Sequence, residues 1–165
     1  MNVLLKSTIG SVLCLAVWAG CNKSTTDSLS RSPDNALLLA AEPAGAIDVM
    51  NVRAEAQDGQ PVVVLGRIGG GAKPWIDGRA AFLLTDERIV PSCSDECDAG
   101  CTQCAVEVAE ATTMVKFLDA QGAVLNVDAR ELLGVKDQQI VVIRGVASRD
   151  DAGNVSIAAN GIYVR

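Results

Sequence analysis

A chain of 165 residues fits a single domain of ordinary size, long enough to bury a real core. It carries 14 basic and 20 acidic residues, no histidine, and only two Trp, two Phe and one Tyr. That composition excludes a basic nucleic-acid footprint and rows of stacking platforms. The missing histidine excludes a His acid/base, a Ser-His-Asp triad, histidine-ligated haem and mixed Cys/His zinc sites.

Residues 1–20 read as a leader rather than as part of the fold. Met1 to Lys6 is short and weakly positive, and Ile9 to Ala19 is an uncharged apolar run. That run is well short of the roughly 20 residues needed to span a bilayer as a helix. Ala19-Gly20-Cys21 closes it. Here the chain resembles bacterial lipoprotein precursors, whose lipobox ends in Ala-Gly-Cys and whose cysteine becomes the diacylated N-terminus. Trp18 departs from the Leu usual in that box. Ordinary cleavage after Val17-Trp18-Ala19 is the alternative, and Cys14 leaves with the leader either way. The resemblance implies a lipidated Cys21 and a place in the bacterial cell envelope, facing the periplasm or the exterior. Without the leader, 13 basic residues stand against 20 acidic ones, a net charge of −7. No second apolar run approaches membrane length, so membrane contact is expected through the anchor alone.

Residues 21–45 are expected to be a tether. Asn22 to Pro33 is Ser/Thr-rich, with too little apolar surface to fold. Leu37-Leu38-Leu39 is either a helical turn docked on the domain or more of the tether. Residues 46–165 are the expected domain, mostly β. Ala46 to Gln57 suggests a short helix with Ile47, Met50 and Ala54 on one face, ended by Asp58-Gly59. Pro61 opens the apolar run Val62 to Ile68, a buried strand, and Ala80 to Thr85 is a second. Met114 to Leu118 and Ala123 to Val127 flank a turn at Asp119 to Gly122. Glu131 to Gly134 suggests one helical turn. Ile140 to Ser148 is a long strand and Asp151 to Asn154 a hairpin turn. Val155, Ile157 and Ala159 then alternate with Ser156, Ala158 and Asn160, as in a half-buried last strand.

Two strands carry a glycine among branched residues, Gly66 and Gly145, which marks a bulge or sharp bend. Long strands bent at mid-length suit a small closed barrel. The order of three strands, a short helix and two strands, with glycine in the first and fourth, resembles the OB-fold. More narrowly, Gly66-Arg67-Ile68-Gly69-Gly70, Asp77 to Phe82, a cysteine-rich insertion and the closing Gly161-Ile162-Tyr163-Val164 resemble uncharacterised secreted bacterial OB-fold lipoproteins. The resemblance covers about Glu42 to Arg165. It implies a mainly β, five- to six-stranded OB-like barrel with one short helix, and implies nothing about activity.

Some motifs lead nowhere. Gly69 to Lys73 is followed by Pro74 where a phosphate loop needs Ser or Thr, so it reads as a plain loop. Asp86-Glu87 and Asp150-Asp151 read as solvated turn residues. Trp75 reads as a cover for one end of the barrel.

The remaining chemistry lies in residues 86–110, where Cys93, Cys97, Cys101 and Cys104 crowd together. A straight helix rises about 1.5 Å per residue, too far for its outer thiols to share one ion. Pro91, Ser92 and Gly100 favour an irregular loop that folds four sulfurs around a centre. Three readings stand: a Cys₄ site for one zinc ion, with copper(I) as the softer alternative; two disulfides suited to an exported protein; and a redox pair, Cys101-Thr102-Gln103-Cys104. Seven carboxylates from Asp86 to Glu110 face a single Arg88. That field disfavours a reactive thiolate and attracts a cation, with Asp95, Glu96 and Asp98 as supporting oxygens. The chain therefore reads as a lipid-anchored envelope binding or structural module, without a catalytic constellation. A thiol redox or metal-transfer protein is the second reading. Whether the barrel meets a protein or a small molecule is open.

Overall fold

The computed structural model describes residues 36–71, 73–89 and 102–165. Cys21, Cys93, Cys97, Cys101, Asp95, Glu96 and Asp98 lie outside them. Among the described residues, runs rich in branched side chains become strands and the Gly/Asp breaks become turns. The strands are β1 (Ile47–Asp48), β2 (Pro61–Ile68), β3 (Ala81–Thr85), β4 (Thr112–Phe117), β5 (Ile140–Arg149) and β6 (Val155–Val164). The helices are α1 (Val49–Glu55), α2 (Thr102–Glu110) and α3 (Ala129–Leu133).

Strand pairing closes a ring. β2 runs antiparallel to β3 and β5, β3 antiparallel to β4, and β5 antiparallel to β6. β4 and β6 complete it as a parallel pair, and β1 adds a short parallel extension on β2. Counted within the ring, the order is first, second, third, fifth, fourth and back to the first, with α3 between the third and fourth strands. This is the expected OB-like small barrel, mainly β with few helices. Its inside is lined by Phe82, Leu84, Val115, Phe117, Ile143 and Ile157, all essentially fully buried.

Both strand glycines sit where backbones crowd. A Cβ on Gly66 would lie 2.7 Å from Leu84 Cγ and 2.8 Å from the Thr85 carbonyl oxygen. On Gly145 it would lie 2.5 Å from the Ala158 carbonyl oxygen, beside the register shift between Arg144 and Gly145 that bends β5 along β6.

Helix α1 plugs one end of the barrel, but not with the face expected. Val49, Val52 and Ala56 are buried, while Ile47 and Met50 are exposed. The cause is local: Ile47-Asp48 stay extended to pair with Val64-Leu65, so the helix starts later and its phase moves. Asp119 to Gly122 forms the expected turn, with the Asp119 carboxylate accepting from the Gln121 and Ala123 N–H groups at 2.9 Å. Its second flank is no strand: it makes the bridge between Leu118 and Val124, and Leu125 adds hydrogen bonds to Phe117 and Ala80. The packed region reaches back ahead of Ala46. Leu38 bridges Ile162 in parallel, Leu39 N–H donates to the Ile162 carbonyl at 2.8 Å, and Leu37 and Leu38 pack on the core. No helix among the described residues is long and apolar enough to cross a membrane.

Candidate functional site

Alternation along β3 and β4 decides what the barrel shows to the outside. Thr113, Val115 and Phe117 point into the core, so Met114, Lys116 and Leu118 point away from it. Register sets Ala81 opposite Lys116 and Leu83 opposite Met114, and β6 brings Ser156 beside Met114. Two hollows of about 310 and 350 Å³ share Met114 and Lys116 and together make one groove. One half is apolar, with Ile76, Ala81 and Val124 around Arg79. The other half is polar and ends at Ser148, Asp150 and Asn154 on the β5–β6 turn.

Lys116 occupies the middle of the groove, half-buried, its ammonium donating to Ser156 Oγ at 3.2 Å. Arg79 makes only a long contact, Nη1 to the Val124 carbonyl at 3.5 Å. Among the described residues neither cation has a carboxylate partner. Asp150 is committed to its own turn, accepting from Asn154 N–H at 2.8 Å and Nδ2 at 2.9 Å; the Asn154 side-chain amide foremost holds its carboxyl below the usual value.

The cysteine-bearing segment leaves the barrel between β3 and β4, and its two stems are pinned. Asp86 N–H donates to the Ala111 carbonyl at 2.9 Å, and the Thr85 and Thr112 hydroxyls meet at 3.0 Å. Asp86 is no solvated turn residue. It is fully buried, and its Oδ2 accepts from the Met50 N–H at 3.1 Å, satisfying a free amide in the first turn of α1. Arg88 donates to the same carboxylate through Nε at 2.9 Å and Nη2 at 3.0 Å, and reaches Asp48 at 3.2 Å. The Arg88 guanidinium foremost, with amide donors from Met50 and Arg88, holds the Asp86 carboxyl below its usual value against the opposing effect of burial. On the second stem, Arg53 donates to the Thr112 carbonyl, so α1 grips both sides of the insertion's base.

Of the expected ligand set, the described residues include only Cys104, placed in α2. This part of the insertion is helical rather than irregular. Among the described residues no group of three Cys, Asp or Glu converges as a metal site. A cleft of about 450 Å³ opens beside the stems, lined among others by Arg67, Gly70, Ile89 and Val108.

Trp75 packs on Phe82, ring centroids 5.6 Å apart, with the Arg130 guanidinium 5.5 Å from its ring centroid and its indole N–H donating to Asp137. It is half-buried against the core and bridges Phe82 on β3. The groove residues were missed by sequence reading, although one signal was present: Lys116 alternates outward in a strand of an acidic chain. No family model matches this chain, and no curated protein matches its sequence.

Proposed function

We propose that this chain is a lipid-anchored binding module of the bacterial cell envelope. The β3–β4 face is its ligand surface, and the four clustered cysteines staple the insertion, around one zinc ion or as two disulfides. The observation that carries the binding reading is the groove from Ile76 to Asn154, apolar at one end and holding cations without carboxylate partners among the described residues. In OB-like barrels the corresponding face, between the second and third barrel strands and their flanking loops, is where ligands sit. Lys116 and Ser156 are the residue types of a Ser–Lys nucleophile pair. In the binding reading the lysine serves as a cation facing the ligand, steadied by its contact with Ser156 Oγ at 3.2 Å.

The test is photo-crosslinking in cells, with a benzophenone amino acid at Met114 in the groove or at Arg144, exposed on β5 outside it. A discrete adduct from position 114, absent from position 144 and lost on Lys116→Gln, supports the reading. Equal adducts from both positions, or none from 114, overturn it. So does labelling of Ser156 by a serine-directed phosphonate, which would make the site catalytic.

A further inference from the structure

Building on the groove as a ligand site, we propose that its occupant is an extended peptide segment of a partner protein that carries an acidic residue. One Asp or Glu side chain of that segment lies against Lys116 and Arg79, and its apolar neighbours cover Ile76, Met114 and Val124.

Charge complementarity carries this. The chain without its leader has a net charge of −7, yet the apolar half of the groove presents two cations and no carboxylate. Lysine has three donors and arginine five; one contact apiece leaves both with donors to spend on a ligand. A carboxylate in that position makes charge-assisted hydrogen bonds within a partly desolvated hollow, where they exceed their strength in open water. The far end of the groove carries Asp150, so the two ends differ in charge and the site prefers a segment with its acid at one end and a basic residue at the other.

Other occupants fit less well. Nucleic acid needs more than two cations against this net charge and a stacking surface, and no aromatic lines the groove. A flat bilayer surface cannot reach an ammonium that is half-buried in a concavity and bonded to Ser156.

The chain supplies its own probe. Met1 leaves with the leader, so the mature protein has two methionines: Met114 in the groove and Met50 exposed on α1, outside it. The full mature chain in detergent, labelled at the methionine methyls, is titrated with acetyl-Leu-Asp-Val-Ser-Lys-amide. The Met114 signal is expected to move saturably while Met50 stays still. The analogue with Asn in place of Asp, and the variant Lys116→Gln, should each weaken binding at least tenfold. An equal response to the Asn peptide overturns the proposal, as does a Met114 signal that ignores the peptide but answers to a single-stranded oligonucleotide or to phosphatidylglycerol vesicles. If the peptide fails while the adduct from position 114 forms in cells, the ligand class is wrong and the site stands. If both fail, the groove is not a ligand site.

Discussion

Asp86 shows how far a single carboxylate can matter when its partners come from distant sequence. It directly follows β3, begins the insertion and holds the first turn of α1 through an amide 36 residues away. Asp86→Ala leaves the Met50 N–H and the Arg88 guanidinium without their acceptor, at a cost of about 2 kcal/mol, readable by urea denaturation. Its folded pKa lies below the unfolded value, so its stabilisation is complete above about pH 4 and is lost as pH falls through the folded value. Melting temperatures should therefore be insensitive to this group between pH 5 and 7 and fall in more acidic buffer, and Asp86→Asn should remove that part of the fall. None of this was legible in the sequence, where Asp86-Glu87 looks like any polar break after a strand. Its burial is created by the packing of α1, which no local pattern reports. Gly66 and Gly145 were legible for the opposite reason: a residue without a Cβ inside a run of branched ones already signals crowding. Gly145→Val forces branched carbons against the Ala158 carbonyl and should destabilise the fold by about 2–3 kcal/mol in the same assay, with Gly66→Val comparable.

Elements were legible where one face of a strand or helix was imposed by local chemistry. The Val155 to Asn160 alternation gave β6. The sequence Asp128-Ala129-Arg130 hides a cap, the Asp128 carboxylate accepting from Arg130 N–H at 2.9 Å, and Gly134 ends α3 at φ 67°. Helix α1 was placed correctly but turned wrongly, because the pairing of β1 with β2 fixes where it starts. Its far end is held by Arg149, whose Nη2 donates to the Arg53 carbonyl at 2.7 Å and to the Ala56 carbonyl at 3.1 Å, a cation at the negative end of the helix. The chemistry of the insertion is read from metal content and thiol state. The mature protein purified without reductant is expected to carry about one zinc ion per chain, the stoichiometry of a closed tetrahedral thiolate site. A chelator should then expose four titratable thiols and loosen the insertion. The barrel should survive, because the Thr85–Thr112 contact and the buried Asp86 hold the stems from the barrel side. Metal-free protein whose thiols titrate only after reduction would assign two disulfides instead.

At the scale of the molecule, the sequence specified the barrel through strand order and bent strands, since connectivity of this kind leaves few ways to close a ring. It did not specify the ligand face, because an outward residue on a closed barrel obeys the same alternation whether or not anything binds it. The proposed anchor is tested at Cys21: Cys21→Ala should move the protein from the membrane fraction to the soluble one, or leave uncleaved precursor, as fractionation and intact mass would show. An unmodified chain beginning at Gly20 would overturn the anchor.

The seam between Leu38 and Ile162 gives the molecule a mechanical fuse. A pull on the N-terminus reaches the barrel first through one bridge, the Leu39 amide, three leucine side chains and the exposed Glu42–Arg165 ion pair, whereas β2 behind them is zipped to β5 over seven residue pairs. The weak seam should yield before the ring does. Its release frees the chain from residue 36 to about residue 46, a contour of roughly 35 Å at full extension. Tension along the proposed tether would thus be spent in slack, and the groove would keep its shape under load.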